Sequence, residues 1–162
     1  MRTFGVAAIL AALTMPALSA DLTPSAFRAL LEHQDATAVV QSLDDKSWTA
    51  FLNHIEAGER GWIDLVPLLA PGTDGSSSES LAIALSRALK ANPAGVLSVL
   101  AANHYSPTDI CAESGGTASV IEMAREIDAA LVKVAAVMDP ALSEARNACL
   151  HALSDARISA LI

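Results

Sequence analysis

The chain has 162 residues, with 10 basic side chains against 18 acidic ones and a formal charge of −8 at pH 7. Such a surface repels phosphate backbones and anionic lipid, which makes nucleic acid and membrane surfaces poor partners. Apolar residues make up 52% of the chain but aromatics only 4%, so the core must come from Ala, Leu, Val and Ile, a composition suited to close helix packing.

Residues 1–20 carry the three parts of a secretory signal peptide. Arg2 gives a basic start, Phe4 to Met15 is an apolar run, and Pro16 breaks it before the small residues Ala17-Leu18-Ser19-Ala20. The run is too short for a membrane-spanning helix, which needs about 20 apolar residues. No Cys follows it, which argues against a lipoprotein anchor. Cleavage before Asp21 would leave residues 21–162, enough for one core-bearing domain, with Arg2 lost and a formal charge of −9. The expected location is the periplasm or the outside of the cell. Both cysteines, Cys111 and Cys149, lie in that part, and an oxidising compartment favours their pairing.

Helix signals then dominate in chain order. Thr23 and Pro24 suit the cap and first position of a helix carrying Phe27, Leu30 and Leu31. Asp35 precedes a short helix over Ala36–Leu43. Asp44 or Asp45 opens a third, with Trp48, Phe51, Leu52 and Ile55 at spacings of three and four, closed by Gly58. Trp62, Leu65, Val66, Leu68 and Leu69 predict a short helix with Pro67 near its middle. After the turn Pro71–Gly75, the pairs Ser76/Glu79 and Ser77/Ser80 are candidate capping spacings for a helix with Leu81, Leu85, Ala88 and Leu89 on one face. Asn92-Pro93 ends it, and Pro93 starts another helix with Val96, Leu97, Val99 and Leu100.

Residues 103–116 form the longest stretch without helix signals. From Thr117 the longest helix is expected, with Val120, Ala124, Ile127, Leu131, Val134 and Met138 as a heptad-spaced seam. Ile121, Ala130, Val132 and Val137 widen its apolar arc, which predicts a central position in the fold. Asp139-Pro140 turns the chain into a last helix with Leu142, Ala145, Cys149, Ala152 and Ala156, packed back as an antiparallel hairpin. At about 1.5 Å per residue, Cys149 falls level with residue 130. Residues 111–116 can just span the ~20 Å needed for the bridge.

The stretch from Trp62 to Leu69 followed by Leu81 to Leu89, with Pro67, Ala82, Ala84 and Ala88, resembles one HEAT-like helix pair. The Gly61-Trp62 pair, the Gly72-Thr73-Asp74 turn and the Asn92-to-Leu97 segment are similar to segments of uncharacterised small exported bacterial helical proteins. That resemblance implies export and a helical fold, and no activity.

Catalytic and metal patterns are wanting. His33, His54, His104 and His151 are scattered, none with another His or Cys at zinc-ligand spacing. His54 and Glu56 lack the later cysteines of a deaminase site. Glu122 and Glu126 share a face with Lys133 opposite the expected seam, as a solvated surface does. Ser114-Gly115-Gly116 is no nucleophile elbow, and Gly72–Gly75 lacks the Lys-Ser/Thr of a phosphate loop. Neither a catalytic residue nor a cofactor is therefore expected. Asn103, His104 and Tyr105 combine an aromatic with polar groups, as interface anchors do, and are the candidate binding residues. Trp48 and Trp62 suit the core better.

The sequence thus predicts an all-α, multi-helix domain of packed helix pairs ending in a long hairpin, exported and stapled by Cys111–Cys149. Its expected role is non-catalytic binding of another protein, in a sharper form as an inhibitor or immunity-type protein whose acidic surface suits a basic target. The alternatives are a carrier of a small molecule or lipid between helices, and an enzyme with a site of unrecognised kind.

Overall fold

The computed structural model describes residues 23–112 and 119–160. The expected signal peptide, Ser114-Gly115-Gly116 and Thr117 lie outside them. All regular structure among the described residues is helical, with no strand.

Local chemistry sets where most helices begin. Helix α1 (Pro24–His33) starts as expected, with the Thr23 hydroxyl accepting from the Ala26 N–H and Pro24 at the first position. Asp35 accepts from the Thr37 N–H to open α2 (Ala36–Ser42), and Asp44 accepts from the Ser47 N–H to open α3 (Asp45–Glu56). Gly58 ends that turn at a φ of +77°, the left-handed region where a side chain is strained.

The stretch around Pro67 divides into two one-turn helices, α4 (Arg60–Ile63) and α5 (Val66–Leu69). Pro67 lies in the first turn of α5, where its missing N–H costs no hydrogen bond. A 3-10 turn over Ala70–Gly72 follows. For α6 (Gly75–Ala88) the cap is Asp74 rather than Ser76 or Ser77. Asp74 Oδ1 accepts from the Ser77 N–H, and Ser77 Oγ accepts from the Asp74 N–H, a reciprocal capping box two residues earlier than expected. A carboxylate there also complements the positive end of the helix dipole.

Asn92 caps α7 (Pro93–Ala101), and the chain then forms a helix where a loop was expected. Ser106, Pro107 and Asp109 make a second capping box that starts α8 (Pro107–Cys111). The long hairpin is present as α9 (Val120–Ala135), capped by Ser119, and α10 (Ser143–Ser159), joined through a 3-10 turn at Pro140–Leu142. At 17 residues α10 is one residue longer than α9, which reverses the expected order.

Buried side chains from Phe27 to Leu153 join one apolar cluster that contains no buried polar or charged residue. The central helix is α7, not α9. Val96, Leu97, Val99 and Leu100 are all buried, because α7 is sandwiched by α4, α6, α9 and α10. The most extensive contacts are α9 with α10, α3 with α6, and α8 with α10. Two close approaches fix the first half. A Cβ on Gly72 would lie 2.2 Å from the Ala36 carbonyl carbon, so the 3-10 turn and α2 touch backbone to backbone. Asn92 accepts from the Gly95 N–H through Oδ1 and donates from Nδ2 to the Gly58 carbonyl, both at 2.9 Å, tying the end of α3 to the start of α7.

Candidate interaction surface

The expected binding residues sit at the end of α7. Asn103 is exposed and takes φ +59°, the only non-glycine in the left-handed region among the described residues. Its N–H donates to the Leu100 carbonyl, so it terminates the helix in the role glycine usually fills. His104 is exposed, but Tyr105 is turned inward against the core. The Tyr105 hydroxyl is shut off from solvent without a hydrogen bond of standard geometry. Burial pushes its phenol up from the ordinary value, while the nearby Ser78 and Thr73 hydroxyls pull the other way. The three residues therefore do not form one exposed patch, since the aromatic supports α6 instead of facing outward.

Cys111 and Cys149 form a disulfide with Cα atoms 5.5 Å apart, both buried. The bridge ties the five-residue α8 to the middle of α10. Helix α8 lies alongside α10, which brings the two sulfurs together; residues 113–116 of the connection considered from the sequence lie outside the described residues.

The histidines fall apart as well. His33 is exposed. His54 Nδ1 lies 2.8 Å from Glu59 Oε1, and its ring stacks flat on Trp62 with centroids 4.7 Å apart. His151 pairs with Asp155 one turn along α10. A carboxylate that orients an imidazole is half of a general-base arrangement, but among the described residues neither ring is hydrogen-bonded to a hydroxyl or thiol. Glu122 belongs to the Ser119 capping box, and its hydrogen bonds to that serine hold its carboxyl below the usual range. Glu126 pairs with Lys90 at the end of α6. Among the described residues no three His, Cys, Asp or Glu side chains gather closely enough to hold a metal ion, and no helix is long and apolar enough to cross a membrane.

What stands out is apolar surface. Six large apolar side chains are exposed among the described residues, and five of them, Val120, Ile121, Val132, Met138 and Ile158, belong to the α9–α10 hairpin. The inner face of α9 is Ile127, Ala130 and Val134, continued by Val137, one step around from the expected seam. The expected outer members of that seam, Val120 and Met138, face solvent. Outward, Ile121, Arg125, Asp128, Val132 and Ala135 step by four, three, four and three, and every one is exposed. That is a second seam at heptad spacing, and among the described residues no helix packs over Ile121 or Val132. Arg157 of α10 reaches Asp128 through two guanidinium nitrogens, whereas Arg125 makes no ion pair among the described residues. The sequence signal for this face is the breadth of the apolar arc, wider than one buried seam needs.

Comparison with family models, with curated proteins and with solved structures finds no match to this chain.

Proposed function

We propose that this chain is an exported, non-catalytic protein-binding domain that works in the bacterial cell envelope or outside the cell. The observation that carries the reading is the outward face of α9, where Ile121 and Val132 are 65% and 71% exposed. Ile121 and Val132 lie three turns apart on one side of the helix and flank Arg125 and Asp128, a mixed apolar and charged stripe of the kind a helix presents to a protein partner. The buried disulfide is consistent with an oxidising compartment, and residues 1–20 supply the export signal by composition.

The test is affinity capture from envelope extract, with the bridged wild-type protein and a V132E variant as parallel baits. A stoichiometric polypeptide held by wild type and lost from the variant is the expected result. A bound lipid or metabolite without any polypeptide would overturn the reading in favour of a carrier. Intact mass of the exported form, beginning at Asp21, checks the leader.

A further inference from the structure

We infer that the outward face of α9 pairs with the same face of a second copy of this chain, as an antiparallel α9–α9 contact about a two-fold axis between residues 126 and 127. This rests on the protein-binding reading above and names the occupant of that face. An isologous contact requires a surface complementary to itself. Four of the five positions in the outward seam of α9 meet this requirement, while Ala135 falls opposite residue 118, outside the described residues. A two-fold axis at that level sets Ile121 against Val132 of the other copy and Arg125 against its Asp128. The small side chain of Ala124 then meets Ala129. Apolar residues thus meet apolar ones at both ends, and opposite charges meet near the middle.

Charge also selects the site. Each copy carries a net charge of −8, so most of its surface repels another copy. On the outward face of α9, Arg125 makes no ion pair among the described residues and lies one turn from Asp128. Asp128 is already oriented by Arg157, which holds its carboxyl in place for a second guanidinium. The alanines at 124 and 129 let the two helix backbones approach closely, and the heptad spacing suits a shallow crossing angle. Sixteen residues of α9 extend about 24 Å. The contact therefore lies at the small end of specific interfaces, below about 1,200 Å² in total, and gives a concentration-dependent dimer rather than a permanent one.

The register provides the test, because Ile121 and its own copy would lie about 16 Å apart along the pair while Ile121 and Val132 would touch. I121C and V132C are purified with the Cys111–Cys149 bridge intact, their folding checked by far-ultraviolet circular dichroism. They are then oxidised separately and as a mixture. The expected result is a disulfide-linked dimer from the mixture alone, with sedimentation of wild type showing a mass that rises with concentration. R125D should weaken that association about tenfold, and R125K, which keeps the positive charge opposite Asp128, should retain most of it. Self-linking of either cysteine variant as fast as the mixture, or a wild type that stays monomeric at the highest concentration, would overturn the inference. A monomeric chain whose envelope partner is still lost in V132E would refute self-pairing alone and leave the protein-binding reading standing.

Discussion

Removing the Cys111–Cys149 bridge should cost this fold a large part of its stability, and the structure fixes how much. The perturbation is C111A/C149A, which deletes the cross-link without leaving a buried unpaired hydroxyl. The bridge closes a sequence separation of 38 residues. In the chain-entropy account, a loop of that size restricts the unfolded chain by ~13 cal/mol/K, or ~3.9 kcal/mol at 25 °C. Both sulfur sites are buried against apolar neighbours, so the small voids left by the alanines add to the cost. Against a typical domain stability of about 5–15 kcal/mol, the double variant sits near the edge of folding. The assay is urea unfolding followed by far-ultraviolet circular dichroism, with hydrogen exchange at Ile110 and along α10. A loss of about 4 kcal/mol, with exchange accelerated throughout, supports the reasoning. A loss below about 1 kcal/mol would refute it, since the bridge would then constrain only α8 and not the unfolded chain as a whole.

Further outcomes follow from the close contacts and the caps. G72A should destabilise by about 3 kcal/mol, because its Cβ would press on the α2 backbone, which cannot yield as a side chain can; an unchanged urea midpoint would show that α2 does not rest on this turn. N92A should cost about 2 kcal/mol, combining a lost cap with an unpartnered Gly58 carbonyl. N92D should recover little of this in thermal unfolding, since it keeps the acceptor for Gly95 but sets a carboxylate against that carbonyl. Y105F should leave stability unchanged or slightly raised, because the hydroxyl it removes is buried without a well-formed hydrogen bond; a clear fall in melting temperature would establish a bond to Ser78 or Thr73. Asp44, Asp74 and Glu122 are held below their ordinary pKa values, each chiefly by a serine hydroxyl and then by a backbone N–H. Lowered folded values mean that this contribution is complete above the unfolded pKa values near 4 and is lost as pH falls through the folded ones. An acid unfolding series should therefore be flatter for D44N/D74N/E122Q than for wild type.

How legible the fold was depends on whether a signal is local. Thr23, Asp35, Asp44, Asn92 and Gly58 act within one turn of themselves, and each ends or starts the helix that its chemistry predicts. The bridge and the hairpin were legible for a similar reason, since two cysteines and one Asp-Pro turn leave few arrangements. The Ser106-Pro107 start of α8 was equally local, but the helix is only five residues long and has no periodicity to announce it. The facing of α9 was not legible, because apolar residues on both sides of the helix permit more than one seam. Its neighbours α7 and α10 choose Ile127, Ala130 and Val134. For the same reason the sequence pointed to the Asn103–Tyr105 loop as the contact surface. Nothing within the loop reveals that Tyr105 is needed to cover the start of α6, whereas the surplus apolar face of α9 emerges only once its inner face is known.

The aromatic rings have a consequence for any optical study of this protein. Phe27, Trp48, Phe51 and Trp62 pack ring against ring, stacked or edge to face, across α1, α3 and α4, while α9 and α10 contain no Phe, Tyr or Trp. Both indoles therefore report on the first half of the chain, with the Trp62 emission further exposed to quenching by the imidazole stacked on it. The half that holds the bridge and the outward face of α9 is dark in tryptophan fluorescence. Loosening of the hairpin would leave that emission unchanged, and an intact fluorescence signal is no proof that α9 is in place.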